Sequence, residues 1–389
     1  MADSLLKNRN LRIIFLITLI SVMGVASITP AFPSIARHFG LNMHNVGLLI
    51  ITFTLPGVVL TPLLGVLSDR IGRKKILIPS LLLFGMAGAG CLIVNDFNLL
   101  LLMRLFQGTG AAAIGSLNIT LIGDIFEGPE RASAMGLNAG VLSIATASYP
   151  FIGGALASVT WSAPFYLTLL AFPAAFFSAR FLKNPEPQKG ETLKSYLKNT
   201  FSSLKNKYAL LLFLASIVTF ILLYGSFLTY IPVMLDQKFS TGPFLIGVVL
   251  GAMSLTTAVV SSRLSTFYKK FPGRVLLRIS FLLYGTGLLL IPFMPSVALI
   301  FPAIIIYGLG HGLNIPVNQT LLAAVAPMKY RGAFMSMNGM LLRLGQTLGP
   351  LIMGAVYTGL KMNAVFIAGA AFAIVMSFLL KFLPADNES

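Results

Sequence analysis

Long apolar runs separated by short polar breaks make up almost the whole chain. They lie at Leu11 to Ile35, Asn45 to Leu67, Ile76 to Val94, Asn98 to Ile122, Ala132 to Ser158 and Pro164 to Leu182. Six more lie at Tyr208 to Leu235, Pro243 to Arg263, Val275 to Ser296, Ala298 to Ala324, Gly332 to Tyr357 and Ala364 to Phe382. Crossing a bilayer takes about 20 mostly apolar residues, so the pattern predicts twelve transmembrane helices and an all-α polytopic membrane protein. The first run follows Lys7 and Arg9, but it is far longer than the apolar part of a signal peptide and no small-residue cleavage site follows, so a retained helix is expected. The longest polar break, 183–207, carries six Lys and two Glu. Its Leu193, Tyr196, Leu197, Phe201 and Leu204 share one helical face, which predicts a basic amphipathic helix on the membrane surface. The expected organisation is a six-helix bundle over 1–182, a cytoplasmic linker over 183–207 and a second six-helix bundle over 208–389.

Composition narrows the class. Of 389 residues, 56% are hydrophobic and 10% charged, against about 25% charged in a soluble globular protein. A water-soluble fold is excluded, and the short loops leave no room for a large soluble catalytic domain, so no enzyme activity is expected. With the N-terminus in the cytoplasm, 23 of the 28 Lys and Arg fall on that side, three fall outside (Arg37, Lys238, Lys361) and two fall within spans (Arg104, Arg343). The positive-inside rule then puts both termini in the cytoplasm of a multi-pass plasma or inner-membrane protein. The net charge of +17 largely reflects this bias beside an anionic leaflet, and a nucleic-acid partner is not implied. Cys91 stands alone, so no intrachain disulfide can form. The glycine-rich segments lack the lysine-serine ending of a phosphate loop. No nucleotide or other cofactor is expected, nor a metal site.

The chain repeats itself. Shifted by 200 residues without gaps, positions 82 to 155 match 282 to 355 at 17 of 74 places. The rarer residues carry the repeat: Asn118 with Asn318, Arg131 with Arg331, Asn138 with Asn338, Pro150 with Pro350, and Gly108, Gly110 and Gly154 with Gly308, Gly310 and Gly354. Two parallel six-helix halves of this kind are an architecture of secondary transporters, with the substrate site between them near the bilayer midplane.

Three segments resemble a known family. Between the second and third runs stands Gly65-Val-Leu-Ser-Asp69-Arg70-Ile-Gly72-Arg73-Lys74-Lys75, which resembles the signature loop of the major facilitator superfamily. The resemblance implies a cytoplasmic latch between halves formed by Gly65, Asp69, Arg70, Gly72 and Arg73, joined by Asp124 and Arg131 at the end of the fourth run. The counterpart loop around Lys269, Lys270, Gly273 and Arg274 keeps the positive charge without the acid. Leu102-Met-Arg104-Leu-Phe-Gln107-Gly108-Thr-Gly110 resembles the fourth-helix motif of the drug:proton antiporters, whose intramembrane arginine is linked to proton coupling. Either a partner compensates Arg104 in the membrane or it snorkels to the interface. Gly140 to Gly154, with Pro150 and Gly153, resembles in part the fifth-helix motif associated with exporters. Tyr149 and Ala145 stand where that motif has glycines, and a kinked, closely packed helix would give much of the same pattern.

All 11 acids fall in loops or tails. What the spans hold is Arg104, His311 and Arg343, the last two near mid-bilayer by their distance along the helices. An intramembrane ionisable residue is a functional-site hypothesis. A fixed cation beside an imidazole favours a neutral or anionic ligand. His311 is the candidate proton carrier, since imidazole alone among these groups titrates near neutrality; the other reading is a hydrogen-bonded His where helices approach closely. Arg343, with no acid near it in sequence or in any span, is expected in the cavity. Weaker candidates for the lining are Asn118, Thr146, Tyr149, Tyr224, Tyr230, Asn314, Asn318, Asn338 and Gln346. The expected function is proton-coupled export of small amphiphilic molecules or drugs by a monomer in the bilayer, through alternating access. Alternatives are export of an anionic metabolite such as a siderophore or sugar derivative, lipid flipping, and a non-transporting membrane sensor.

Overall fold

A computed structural model describes residues 2–183, 206–326 and 331–383. The amphipathic helix expected in the linker falls on 184–205, outside the described residues. Among the described residues, eleven helices are long and apolar enough to cross a membrane: spans 1 to 10 are Arg9–His38, Asn45–Ile71, Arg73–Ile93, Phe97–Ile125, Gly128–Ala157, Ala163–Phe181, Lys207–Phe239, Pro243–Ser262, Gly273–Phe293 and Val297–Val325. The eleventh, Met337–Phe382, holds two crossings. Its helix breaks at Lys361, where φ is 68°, and the chain turns back. Gly349 packs on Gly225 of span 7, and Gly369, twenty residues on, packs on the adjacent Ser226; a straight helix would carry it about 30 Å past. Spans 11 and 12 therefore lie on either side of Lys361, and the crossings number twelve.

The helices sort into two cores. One gathers buried apolar residues from Leu5 to Leu182 together with Val233 of span 7, the other from Ala209 to Leu383. Each half is stapled by the same three-helix clamp. In the first, Asn118 Nδ2 of span 4 donates to Thr18 Oγ1 of span 1 at 3.2 Å, and Thr18 donates to Asn138 Oδ1 of span 5 at 2.6 Å. In the second, Asn318 Nδ2 donates to Ser216 Oγ at 2.6 Å, and Ser216 donates to Asn338 Oδ1 at 2.6 Å. The basic loops repeat as well: Lys74 Nζ binds the carbonyls of Ala179 and Leu182 at the end of span 6, and Arg274 binds that of Leu383 beyond span 12. Burying these hydroxyls and amide nitrogens among apolar helices is tolerable because they bond to one another.

The halves meet along span 5 against span 8 and span 2 against span 11. A Cβ on Gly154 would lie 2.5 Å from the Pro243 carbonyl oxygen, one on Gly247 would strike the Pro150 carbonyl oxygen, and one on Gly47 would lie 3.2 Å from Pro350 Cβ. Eighteen residues are five turns of an α-helix, so Gly136 shares the face of Gly154, and Gly65 that of Gly47. A Cβ on Gly136 or Gly65 would meet nothing within 4 Å. Contact at one end and open space at the other, on the same helix faces, means that the halves are closed away from the termini and splayed on the side of the termini. Arg37 and Asp236, one from each half, pin the closed end with an ion pair of 2.6 Å.

Candidate functional site: a cavity between the halves

A cavity of about 450 Å³ opens between the halves, within the range of small-molecule sites. The first half contributes Ser21, Val22, Val25, Phe53, Leu142, Ser143, Thr146 and Pro150 to its wall. The second contributes Phe220, Tyr224, Met253, Ser254, Thr257, Ser261, His311, Arg343 and Gln346 among others. Among the described residues, every ionisable side chain of this lining therefore belongs to the second half.

Arg343 of span 11 donates to Gln346 Oε1 at 3.1 Å; three residues apart on a helix, the two share a face. Its side chain crosses the gap to the first half, where two glycines make room. A Cβ on Gly57 of span 2 would lie 3.2 Å from Arg343 Cδ, and one on Gly115 of span 4 would lie 3.0 Å from Nη2. One turn on, Thr347 Oγ1 meets Thr54 Oγ1 across the halves at 2.9 Å. Tyr224 is within electrostatic reach of the guanidinium, and its ring stacks on Phe220 with centroids 5.8 Å apart. Span 7 winds as a π-helix over Leu222–Thr229, and wide turns of this kind are frequent at functional sites. His311 of span 10 meets the Tyr284 hydroxyl through Nδ1 at 2.6 Å, and Tyr284 packs on Tyr307 with centroids 4.7 Å apart.

The other sequence candidates lie elsewhere. Arg104 is 1% exposed, so it neither snorkels nor reaches the cavity. It donates through Nε to the Leu49 carbonyl at 3.3 Å and through Nη1 to Gln107 Oε1 at 2.5 Å. Its guanidinium sits 4.3 Å from the centroid of the Phe53 ring, and Phe53 is part of the cavity wall. Span 4 can approach so closely because a Cβ on Gly108 would strike the Phe53 carbonyl. Asn118, Asn318 and Asn338 are absorbed in the clamps. Asn314 accepts from Thr219 at 2.8 Å and donates to Ser280 at 2.9 Å. Tyr149 is buried in the first core, and Tyr230 stacks on Tyr357 in the second. Of the weaker candidates, Thr146, Tyr224 and Gln346 reach the lining. Pro150 lines it too; Gly153 packs on the Ser27 carbonyl of span 1, Gly154 closes on span 8, and a Cβ on Gly140 would meet nothing.

At the splayed end, Arg73 pairs with Asp69 and, through Nε, with Asp124 Oδ2 at 2.8 Å. Gly72 makes the turn between spans 2 and 3 at φ 103°, a conformation that favours glycine. Both ion pairs stay inside the first half, binding spans 2, 3 and 4. Arg131 points to the Phe126 carbonyl at 2.8 Å, and Arg70 is exposed.

A family model described as Major Facilitator Superfamily matches residues 14–314 and 266–389. The chain belongs to this superfamily. Multidrug resistance protein 1 of Bacillus subtilis is 26% identical over 357 residues, covering 90% of each chain. The bacillibactin exporter of the same organism is 26% identical over 395 residues, covering 96% of each. Among solved structures, the nucleoside transporter NupG superposes with a TM-score of 0.80 at 14% identity, covering 97% of this chain and 99% of its own. As a major facilitator, the chain is a multi-pass membrane transporter of small molecules, with multidrug-efflux proteins among its relatives.

The residues that sequence reasoning missed are mostly small. Thr18 and Ser216 complete the clamps but lie 198 apart, so a strict shift of 200 passes over them. Gly57 and Gly115, which admit Arg343, have no local signature. One signal was available: Arg104-Leu-Phe-Gln107 and Arg343-Leu-Gly-Gln346 share an arginine with glutamine three residues on, and in both places the arginine binds that glutamine.

Proposed function

We propose that the chain is a proton-coupled exporter that moves small amphiphilic molecules out of the cytoplasm by rocking of its two halves. The observation that carries this reading is the cavity between the halves, closed away from the termini and open on their side. The Lys and Arg of the loops crowd that same side, which supports a cytoplasmic position for both termini and loading of the cavity from the cytoplasm. Relatives named for multidrug resistance and for siderophore export support the outward direction. A single chain supplies both walls of the cavity, which supports action as a monomer in the inner membrane.

His311 is the proton carrier in this reading. It lines the cavity, carries an imidazole, a group able to take up and release a proton, and is held by Tyr284 in a defined orientation. Antiport then follows if proton and cargo occupy the cavity in alternation. The test is flux in inside-out proteoliposomes with and without an imposed proton gradient. Wild type accumulates cargo only with the gradient. His311→Gln keeps cargo-for-cargo exchange, which needs no net proton movement, and loses gradient-driven accumulation. Gradient-driven accumulation unchanged in His311→Gln removes the residue from coupling, and accumulation independent of any gradient overturns antiport.

A further inference from the structure

The geometry points to an anionic amphiphile as the cargo, bound with its anionic group on Arg343 and its apolar body along the aromatic and aliphatic wall. This deepens the exporter reading and rests on it for the direction of transport, but not for the chemistry of binding. Among the described residues Arg343 is the single fixed charge of the cavity lining, and none of them there is a carboxylate. Among the described residues every ion pair sits at one end of the bundle or the other. The polar partner on Arg343 is the neutral Gln346 Oε1.

A second cation stands behind the opposite wall. Arg104 lies 4.3 Å from the centroid of the Phe53 ring, and Phe53 lines the cavity. Its own partners, the Leu49 carbonyl and Gln107, are also neutral. The cavity is thus flanked by a guanidinium on each half, with no carboxylate among the described lining residues to balance them, in surroundings of low dielectric where such charges act strongly. An unbalanced buried charge is costly, and a ligand bearing the opposite charge relieves that cost. A planar guanidinium suits a carboxylate in particular, through paired N–H donors. The Gly57 and Gly115 socket holds the Arg343 side chain across the gap, so an anion on it touches both halves at once.

The test measures binding in detergent, free of any gradient, with three probes that share one body: 6-phenylhexanoic acid, its primary amide and 6-phenylhexylamine. Calorimetry should give the acid at least about tenfold tighter than the amide, with the amine weakest. Arg343→Gln should bring acid and amide together while its thermal midpoint stays at the wild-type value, and Arg343→Lys should retain the preference for the acid. If Arg343→Gln does not fold, Gly115→Ala, which presses on Nη2, should weaken the acid alone. Equal binding of the three probes, a preference for the amine, or no binding of any overturns the inference. Flux in proteoliposomes separates it from the exporter reading. Binding of the acid without gradient-driven flux overturns the exporter and leaves the charge preference; flux of the amine but not the acid does the reverse.

Discussion

Gly154→Ala is the sharpest probe of the closed end. The added Cβ would sit 2.5 Å from the Pro243 carbonyl oxygen, 3.1 Å from Gly247 Cα and 3.2 Å from Phe244 Cα. All three neighbours belong to the backbone of span 8, so no side chain can step aside. Ordinary contact begins near 3.4 Å, and spans 5 and 8 must part by roughly 0.9 Å, the difference between 3.4 and 2.5 Å. Overpacking of this kind costs about 1–3 kcal/mol. The cost falls only on the conformation in which this end is closed, so the population should shift about 5- to 150-fold toward the one in which it is open. The chain's one cysteine, Cys91, is fully buried, which leaves a clean background for labelling. With Ser254→Cys in the cavity wall as reporter, an impermeant maleimide should label faster from the side away from the termini in Gly154→Ala and slower from the side of the termini. Gly136→Ala is the control on the same helix face: it meets nothing here, so it should leave labelling unchanged or move it the other way. Unaltered labelling in Gly154→Ala, or the same shift from Gly136→Ala, refutes the reasoning.

The Arg37 and Asp236 pair is half exposed on the arginine side and worth at most about 1 kcal/mol. Arg37→Ala should open the same end by no more than about fivefold, and exchanging the two residues should restore it; a larger shift means that Arg37 has further partners. The two clamps predict matched losses. Asn138→Ala and Asn338→Ala each remove the interhelical acceptor of a buried hydroxyl, which keeps only the carbonyl one turn back in its own helix, Ile14 for Thr18 and Leu212 for Ser216, and should lower the thermal midpoint in detergent by the equivalent of about 1 kcal/mol, with probe affinity unchanged. A loss of affinity at an unchanged midpoint would return these asparagines to the cavity.

Much of the architecture was legible because membrane helices write themselves in long apolar runs, and the predicted spans begin and end within a few residues of those found. The repeat was legible for the same physical reason that it exists: Asn118 and Asn138 hold helices together, and their counterparts must stand at the matching heights of the second half. The cavity was less legible. Polar residues inside a membrane either bind helices or face a site, and the residue type alone does not separate the two. Asn118 and Arg343 read alike along the chain, yet one sits in a clamp and the other in the lining. Arg104 shows the limit most clearly. It is held by a carbonyl, an amide and an aromatic face, three neutral groups that no charge pattern marks.

Arg343 without a neighbouring carboxylate has an electrical consequence. In the rocking cycle proposed above, the site is connected first to one aqueous compartment and then to the other, and its positive charge moves through the membrane field. One elementary charge carried across 100 mV is worth about 2.3 kcal/mol, roughly a fiftyfold bias. With the side of the termini negative, the empty carrier rests with its cavity open to that side, the conformation described above. An anion seated on Arg343 cancels that residue's charge, so the loaded transition should depend on voltage less than the empty one does, by one elementary charge.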